Sequence, residues 1–304
     1  MRCAARGSPR AVSRPLLRSD IVTPRRVDPL AEPATLDAMD AVMQQAYGVS
    51  SFRAGIDRFV AAQPDGLVVV EHDGSVVGTG CCVAYRDAGF GWIGLVATAG
   101  PFQRRGAATA ITEFLSRTLS AHGCASVLDA SAVGGPVYER IGFADCGITR
   151  VLSLEADRWP TTPGEEQCHT VTHEEFDELV AFDAARFGAS RRILLDKLIQ
   201  QHPGRSLVLT GGQGIVGYLV AQPGALAPVV ADDAASLSAL IGAARRFDWG
   251  APPRINVPPE SAHFPTLLRL GFEPRRELRH MRRGIVVLPG RRASVAGLIS
   301  LGEG

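Results

Sequence analysis

The stretch Val96-Ala97-Thr98-Ala99-Gly100-Pro101-Phe102-Gln103-Arg104-Arg105-Gly106-Ala107-Ala108 gathers an amide, two guanidinium groups and three small residues into one short loop. An apolar β-type run ends at Thr98 and a helical pattern opens at Thr109, so Gln103–Ala108 joins a strand to a helix. Gly106, Ala107 and Ala108 let the backbone come close to a ligand, and the first turn of a helix offers N–H groups without intrahelical acceptors. Together they suit an anion such as a pyrophosphate. Arg104 and Arg105 can add charge-assisted hydrogen bonds of about 1.5–3 kcal/mol each. On the loop alone, an ordinary strand-to-helix turn with solvated arginines fits as well.

Other reactive residue types say less. Cys3, Cys81, Cys82, Cys124, Cys146 and Cys168 show no CxxC spacing, so neither a zinc site nor a disulfide framework is expected, and a reducing cytoplasm is the default. They read as small buried hydrophobes rather than nucleophiles. His122 precedes Gly123 at a helix end and reads as part of a cap.

The elements around the loop alternate. Ala34–Tyr47 and Phe52–Ala61 have helical spacing, and Leu67–Glu71 and Val76–Tyr85 are β-rich runs joined at Asp73-Gly74. Trp92–Thr98 reads as a strand, Thr109–His122 as a helix, Ala125–Ala130 as a strand, Val137–Ile141 as a short helix and Thr149–Leu154 as a strand. This order predicts an α/β fold with a mixed sheet. A Pro- and Thr-rich linker is expected over 157–167, which separates domains at 22–156 and 168–304. Beyond it the pattern returns: Ser206–Thr210 and Ile215–Ala221 flank a glycine-rich turn, and Leu267-Leu-Arg-Leu-Gly-Phe272 echoes Tyr138-Glu-Arg-Ile-Gly-Phe143. The chain is therefore expected to hold a degenerate internal repeat.

With 304 residues, 32 basic and 31 acidic, the chain has room for two domains and no basic excess to suggest a nucleic-acid partner. No apolar run is long enough for a bilayer, so no membrane partner is expected either. Residues 1–21, with arginines at 2, 6, 10, 14 and 18, read as a disordered extension.

Gln103–Ala108 resembles the Q/R-x-x-G-x-G/A signature of the GNAT acyltransferases, and Pro136-Val-Tyr-Glu-Arg-Ile-Gly-Phe143 resembles that family's closing segment. The family's V-x-P before the loop is here Thr98-Ala99-Gly100, with the proline displaced to Pro101. In the second half, Asp183-Ala-Ala-Arg-Phe-Gly188, Arg191 and His280-Met-Arg-Arg-Gly284 resemble the YitH-like tandem branch. There, Pro228–Ala234 stands where the phosphate loop belongs, without glycine and with Asp232 and Asp233 to repel an anion, so the second domain is expected to have no coenzyme site.

The resemblance implies direct transfer of an acetyl group from acetyl-CoA to an amine in a ternary complex, with no metal. It assigns Gln103, Arg104, Arg105, Gly106, Ala107 and Ala108 to the pyrophosphate, backbone N–H groups near Val96, Ala97 and Thr98 to the thioester carbonyl, and Tyr138 to the departing thiolate. The general base stays open among Asp129, Ser131, Glu71, Asp87 and a water chain. Asp183, Arg186 and Arg191 are candidates to read the acceptor from the second half, or a helix-surface ion-pair set. A small-molecule amine is the expected partner of a monomer or homodimer. A non-catalytic acyl-CoA-binding protein and a protein-lysine acetyltransferase are the alternatives.

Overall fold

The computed structural model describes residues 23–48, 51–284 and 287–304, so the arginine-rich 1–21 and Cys3 lie outside the described residues. In the first half β1 is Arg25–Arg26, α1 Pro33–Tyr47, α2 Arg53–Ala62, β2 Leu67–His72, β3 Ser75–Tyr85 and β4 Phe90–Thr98. Next come α3 Ala107–Ala121, β5 Ala125–Ala130, α4 Gly135–Arg140 and β6 Ala144–Ser153. The second half repeats the order with β7 His169–Thr170, α5 Phe176–Phe187, α6 Arg192–Gln201, β8 Ser206–Gly211, β9 Gly214–Gln222 and β10 Ala225–Ala231. It continues through α7 Ala234–Ala243, β11 Arg254–Val257, α8 Phe264–Arg269, β12 Glu273–Arg283 and β13 Val295–Gly297. Among the described residues no helix is long and apolar enough to cross a membrane.

All the strands belong to one sheet, ordered β1-β2-β3-β4-β5-β12-β6-β11-β10-β9-β8-β7, with β13 on β10. The two halves meet by exchange. Strand β12 of the second half lies antiparallel beside β5 of the first, while β6 of the first lies antiparallel beside β11 of the second. The exchanged strands also pair with each other along most of their length, from Glu273↔Ser153 to Arg282↔Ala144. Each half thus supplies the strand that closes the other, and the apolar alternation of both halves feeds a shared interior.

That interior has two kinds of layer. One cluster lies under α3 and joins Ile111, Leu115, Leu119, Ile93, Leu128 and Met281. A larger one fills the opposite face and crosses between halves, from Met39, Phe59, Phe90, Trp92 and Val127 to Phe187, Leu195, Leu198, Tyr218 and Leu298. Residues 298–304 run through this second layer. A Cβ on Gly94 would stand 2.2 Å from Gly302 Cα, so only glycine on β4 admits the close backbone approach. The buried Glu303 carboxylate accepts two hydrogen bonds from Arg58, at 2.8 and 2.9 Å.

The expected linker differs from the structure in one respect. Residues 157–167 pack on α7 instead of standing free: Trp159 Nε1 donates to Ile241 O at 2.7 Å and Thr162 Oγ1 to Ser238 O at 2.9 Å. The indole of Trp159 also stacks on Trp249 with centroids 5.2 Å apart, an apolar contact that composition alone does not reveal.

Candidate active site

Strands β4 and β5 run parallel and pair only at Phe90↔Ala125, Gly91↔Ser126 and Trp92↔Val127, at their N-terminal ends. Beyond Trp92 they part. On its other side β4 stays paired with β3, but the register shifts by one residue between Ala97 and Gly94, a bulge centred on Leu95 and Val96. Leu95 has φ +52°, a left-handed conformation rare for a γ-branched residue, and such bulges re-aim the backbone where a ladder ends. Tyr47 at the end of α1 donates its hydroxyl proton to Val96 O at 2.9 Å, which holds the bulge from the far side. Ala97 and Thr98 are buried, and Thr98 Oγ1 has no partner.

The Gln103–Ala108 loop folds back against this strand end, with Gln103 Nε2 donating to Thr98 O at 3.2 Å. Two left-handed residues, Arg104 at φ +60° and Gly106 at φ +96°, turn the chain into α3. Gly106 is the N-cap, and no side chain caps the helix. A Cβ built at Gly106 meets nothing within 4 Å, so there is open room before the first turn of α3. Arg105 Nη1 is buried without a hydrogen-bond partner among the described residues, while its guanidinium lies 5.7 Å from the Phe102 ring. An uncapped helix start and an orphaned buried guanidinium nitrogen fit the pyrophosphate of a coenzyme.

Tyr138 on α4 is half-buried and packs into the cluster that also holds Val96, Phe102 and Ala107. Burial pushes its phenol well above the ordinary value, with a smaller push from Tyr47, so the hydroxyl keeps its proton at neutral pH.

The second half has the same plan with both openings filled. Parallel β10 and β11 pair only at Ala225↔Arg254, and β13 enters the gap, pairing with β10 at Val229↔Gly297 and Val230↔Val295. Leu298 N then donates to Asn256 O on β11 at 2.9 Å. The start of α7 is capped by Asp233, whose carboxylate accepts from Ser236 N at 2.8 Å. Asp232 is paired with Arg186 at 2.5 Å. A carboxylate already sits where an anion would bind.

The remaining sequence candidates separate. Asp183 and Arg191 do not line an open cleft, nor do they form a surface pair: both are closed to solvent and bound to each other at 2.5 and 3.0 Å. Asp183 also accepts from Tyr218 Oη at 2.6 Å, and Arg191 Nη1 donates to Gly304 O at 2.8 Å. Helix α5 turns this charge inward toward the shared core, where an unpaired ion would be costly. Glu71 is paired with Arg25, Ser131 Oγ accepts from Gly134 N in its own turn, and Asp87 is exposed. Asp129 is different. It lies on β5 two residues past the last pairing with β4 with its side chain closed to solvent; its Oδ1 is held by Thr149 and His280, and its Oδ2 has no partner among the described residues. His280 was legible only as part of the His280–Gly284 run, because its neighbour Asp129 is 151 residues away.

With this geometry in view, the match to known families is direct. The description "Acetyltransferase (GNAT) family" fits residues 34–143, and "Acetyltransferase (GNAT) domain" fits 179–297. The chain belongs to the GNAT acetyltransferases, as a tandem member whose second domain has diverged. It is similar to a Bacillus subtilis (strain 168) protein described as the uncharacterized N-acetyltransferase YitH, 29% identical over 154 residues, which are 48% of this chain and 53% of the relative. The match thus spans about half the length of that curated relative. A solved putative acetyltransferase from Pyrococcus horikoshii shares the fold with a TM-score of 0.77 at 20% identity, covering 93% of this chain and 96% of that one. A GCN5-related N-acetyltransferase from Sphaerobacter thermophilus does so with a TM-score of 0.59 at 14% identity, covering 88% and 98%.

Proposed function

We propose that this protein moves an acetyl group from acetyl-CoA to the amine of a small molecule, by direct attack in a ternary complex. One contrast carries the reading. The fork between β4 and β5 and the start of α3 are left open in the first half, whereas β13 and Asp233 fill the equivalent places in the second.

In this reading Gln103–Ala108 and the first turn of α3 hold the pyrophosphate, with Arg104 and Arg105 neutralising its charge. The bulge at Leu95–Val96 turns a backbone N–H of Val96–Thr98 toward the thioester oxygen, which gains negative charge as the amine attacks. Tyr138, protonated at neutral pH, gives its proton to the sulfur as the carbon–sulfur bond breaks. Acetyl-CoA supplies the activated acyl group; the chain supplies binding, orientation and proton transfer. The free cysteines Cys81, Cys82, Cys124, Cys146 and Cys168 support a reducing cytoplasm as its location.

Thiol release from acetyl-CoA, followed with the purified full chain against a broad panel of small amines, tests the proposal. Release that depends on a subset of the amines is expected. Coenzyme binding without amine-dependent release would reduce the protein to an acyl-CoA binder.

A further inference from the structure

We infer that Asp129 is the base that takes a proton from the acceptor amine, and that His280, delivered by the exchanged strand of the second half, is the residue that positions it. The inference rests on the acetyl-transfer reading above and names a part of that site which the reading leaves open.

Asp129 Oδ1 accepts from Thr149 Oγ1 at 2.5 Å and from His280 Nδ1 at 3.0 Å, while Oδ2 is buried and accepts from nothing among the described residues. Buried carboxylate oxygens are nearly always hydrogen-bonded, so a bare one next to a fully satisfied one needs a reason. Its location supplies one. Alternate residues of a strand share a face, so Asp129 faces the same side as Val127, which packs with Trp92 in the layer opposite α3. Val127 is the last residue of β5 paired with β4, and the parallel register would next bring Asp129 opposite Gly94, beside the Leu95–Val96 bulge. The strands separate there instead. By register Asp129 thus lies beside the fork, on the face away from the phosphate loop and α3, with its carboxylate closed to solvent and the Gly302 backbone packed on neighbouring Gly94. Trp92 Nε1, on that same face, is a second buried polar atom without a partner among the described residues.

The orientation of His280 follows from its other nitrogen. Arg282 Nε donates to His280 Nε2 at 3.3 Å, so the proton of the neutral ring is on Nδ1 and is given to Asp129. Arg282 is itself paired with Glu260. His280 lies opposite Asp129 in the β5–β12 register, and its ring is 5.5 Å from that of Trp92. Thr149 comes from β6 and His280 from β12, so both exchanged strands fix one carboxylate rotamer. This gives the coenzyme-free second half a chemical role.

The proton accounting closes. An N–H bond of the acceptor ammonium breaks and its proton goes to Asp129 Oδ2. The freed lone pair forms the bond to the thioester carbon, and the carbon–sulfur bond then breaks. The thiolate takes the Tyr138 proton, the nitrogen's second proton, released as the amide forms, restores the phenol through solvent, and Asp129 gives up the first proton to solvent as the product leaves.

The test uses the full chain with its best amine, with acetyl-CoA affinity measured alongside to confirm folding. Asp129→Asn should lower kcat by at least about 100-fold, within the range of a lost general base, and leave coenzyme affinity within about twofold. His280→Ala should lower kcat by at least about tenfold, whereas His280→Asn, whose amide N–H replaces Nδ1–H, should recover most of that loss. Full turnover in Asp129→Asn, or equal losses in the two His280 variants with coenzyme binding intact, would overturn the inference and leave the acetyltransferase reading standing. A wild-type chain that binds acetyl-CoA but transfers to no amine would overturn both.

Discussion

Tyr138 shows how burial and chemistry compete at a single side chain. In water a phenol (pKa about 10) is a weaker acid than a thiol (about 8.5), and desolvation raises Tyr138 further. In the proposed transfer its help to the departing sulfur would therefore come from holding a proton in place rather than from driving force. Tyr138→Phe keeps the ring against Phe143 and removes only the hydroxyl. Turnover on the best amine should fall by at least about tenfold while acetyl-CoA affinity changes little, read by steady-state kinetics beside calorimetry. Asp183 and Arg191 teach the opposite lesson. Their types suggested recognition of a charged acceptor, but the atoms each could offer are spent on one another, on Tyr218 and on Gly304.

At the scale of elements, the same strand–loop–helix unit occurs twice with opposite ends. Helix α3 starts on a bare glycine and α7 on an aspartate that accepts a hydrogen bond from a backbone N–H. Hydrogen bonding to Ser236 holds the Asp233 carboxyl below its ordinary range. Asp233→Ala should therefore destabilise the fold by about 1 kcal/mol at neutral pH, the usual cost of a lost cap. Because the folded carboxylate is the more acidic form, this contribution is complete above the unfolded value of about 3.9 and is lost as pH falls through the folded one. Urea unfolding of both proteins should show a constant gap down to about pH 4 that narrows below it. A gap that does not depend on pH would exclude the charged cap.

Local elements were legible because their signals are local. The Asp73-Gly74 turn, the helical spacing of Leu36, Met39, Val42 and Met43, and the small residues that open α3 each act within a few residues. The glycine that opens α3 was legible for the same reason, and so were the aspartates that precede α7. The Asp129–His280 contact and the course of β13 through the second fork were not. Each depends on which strand of a distant half lies alongside, and alternation fixes the face of a strand but not its neighbour.

At the scale of the molecule, strand exchange makes the halves parts of one sheet with unequal duties: one open fork and one plugged by the chain itself. The central claim is that the open fork alone takes the coenzyme. Calorimetric titration of the full chain with acetyl-CoA tests it directly, beside Gly106→Glu, which puts a strained side chain and a negative charge in the open space proposed for the pyrophosphate. One site per chain is expected, and it should be lost in the variant. Two equivalent sites, or a variant that binds as the wild type does, would contradict the account.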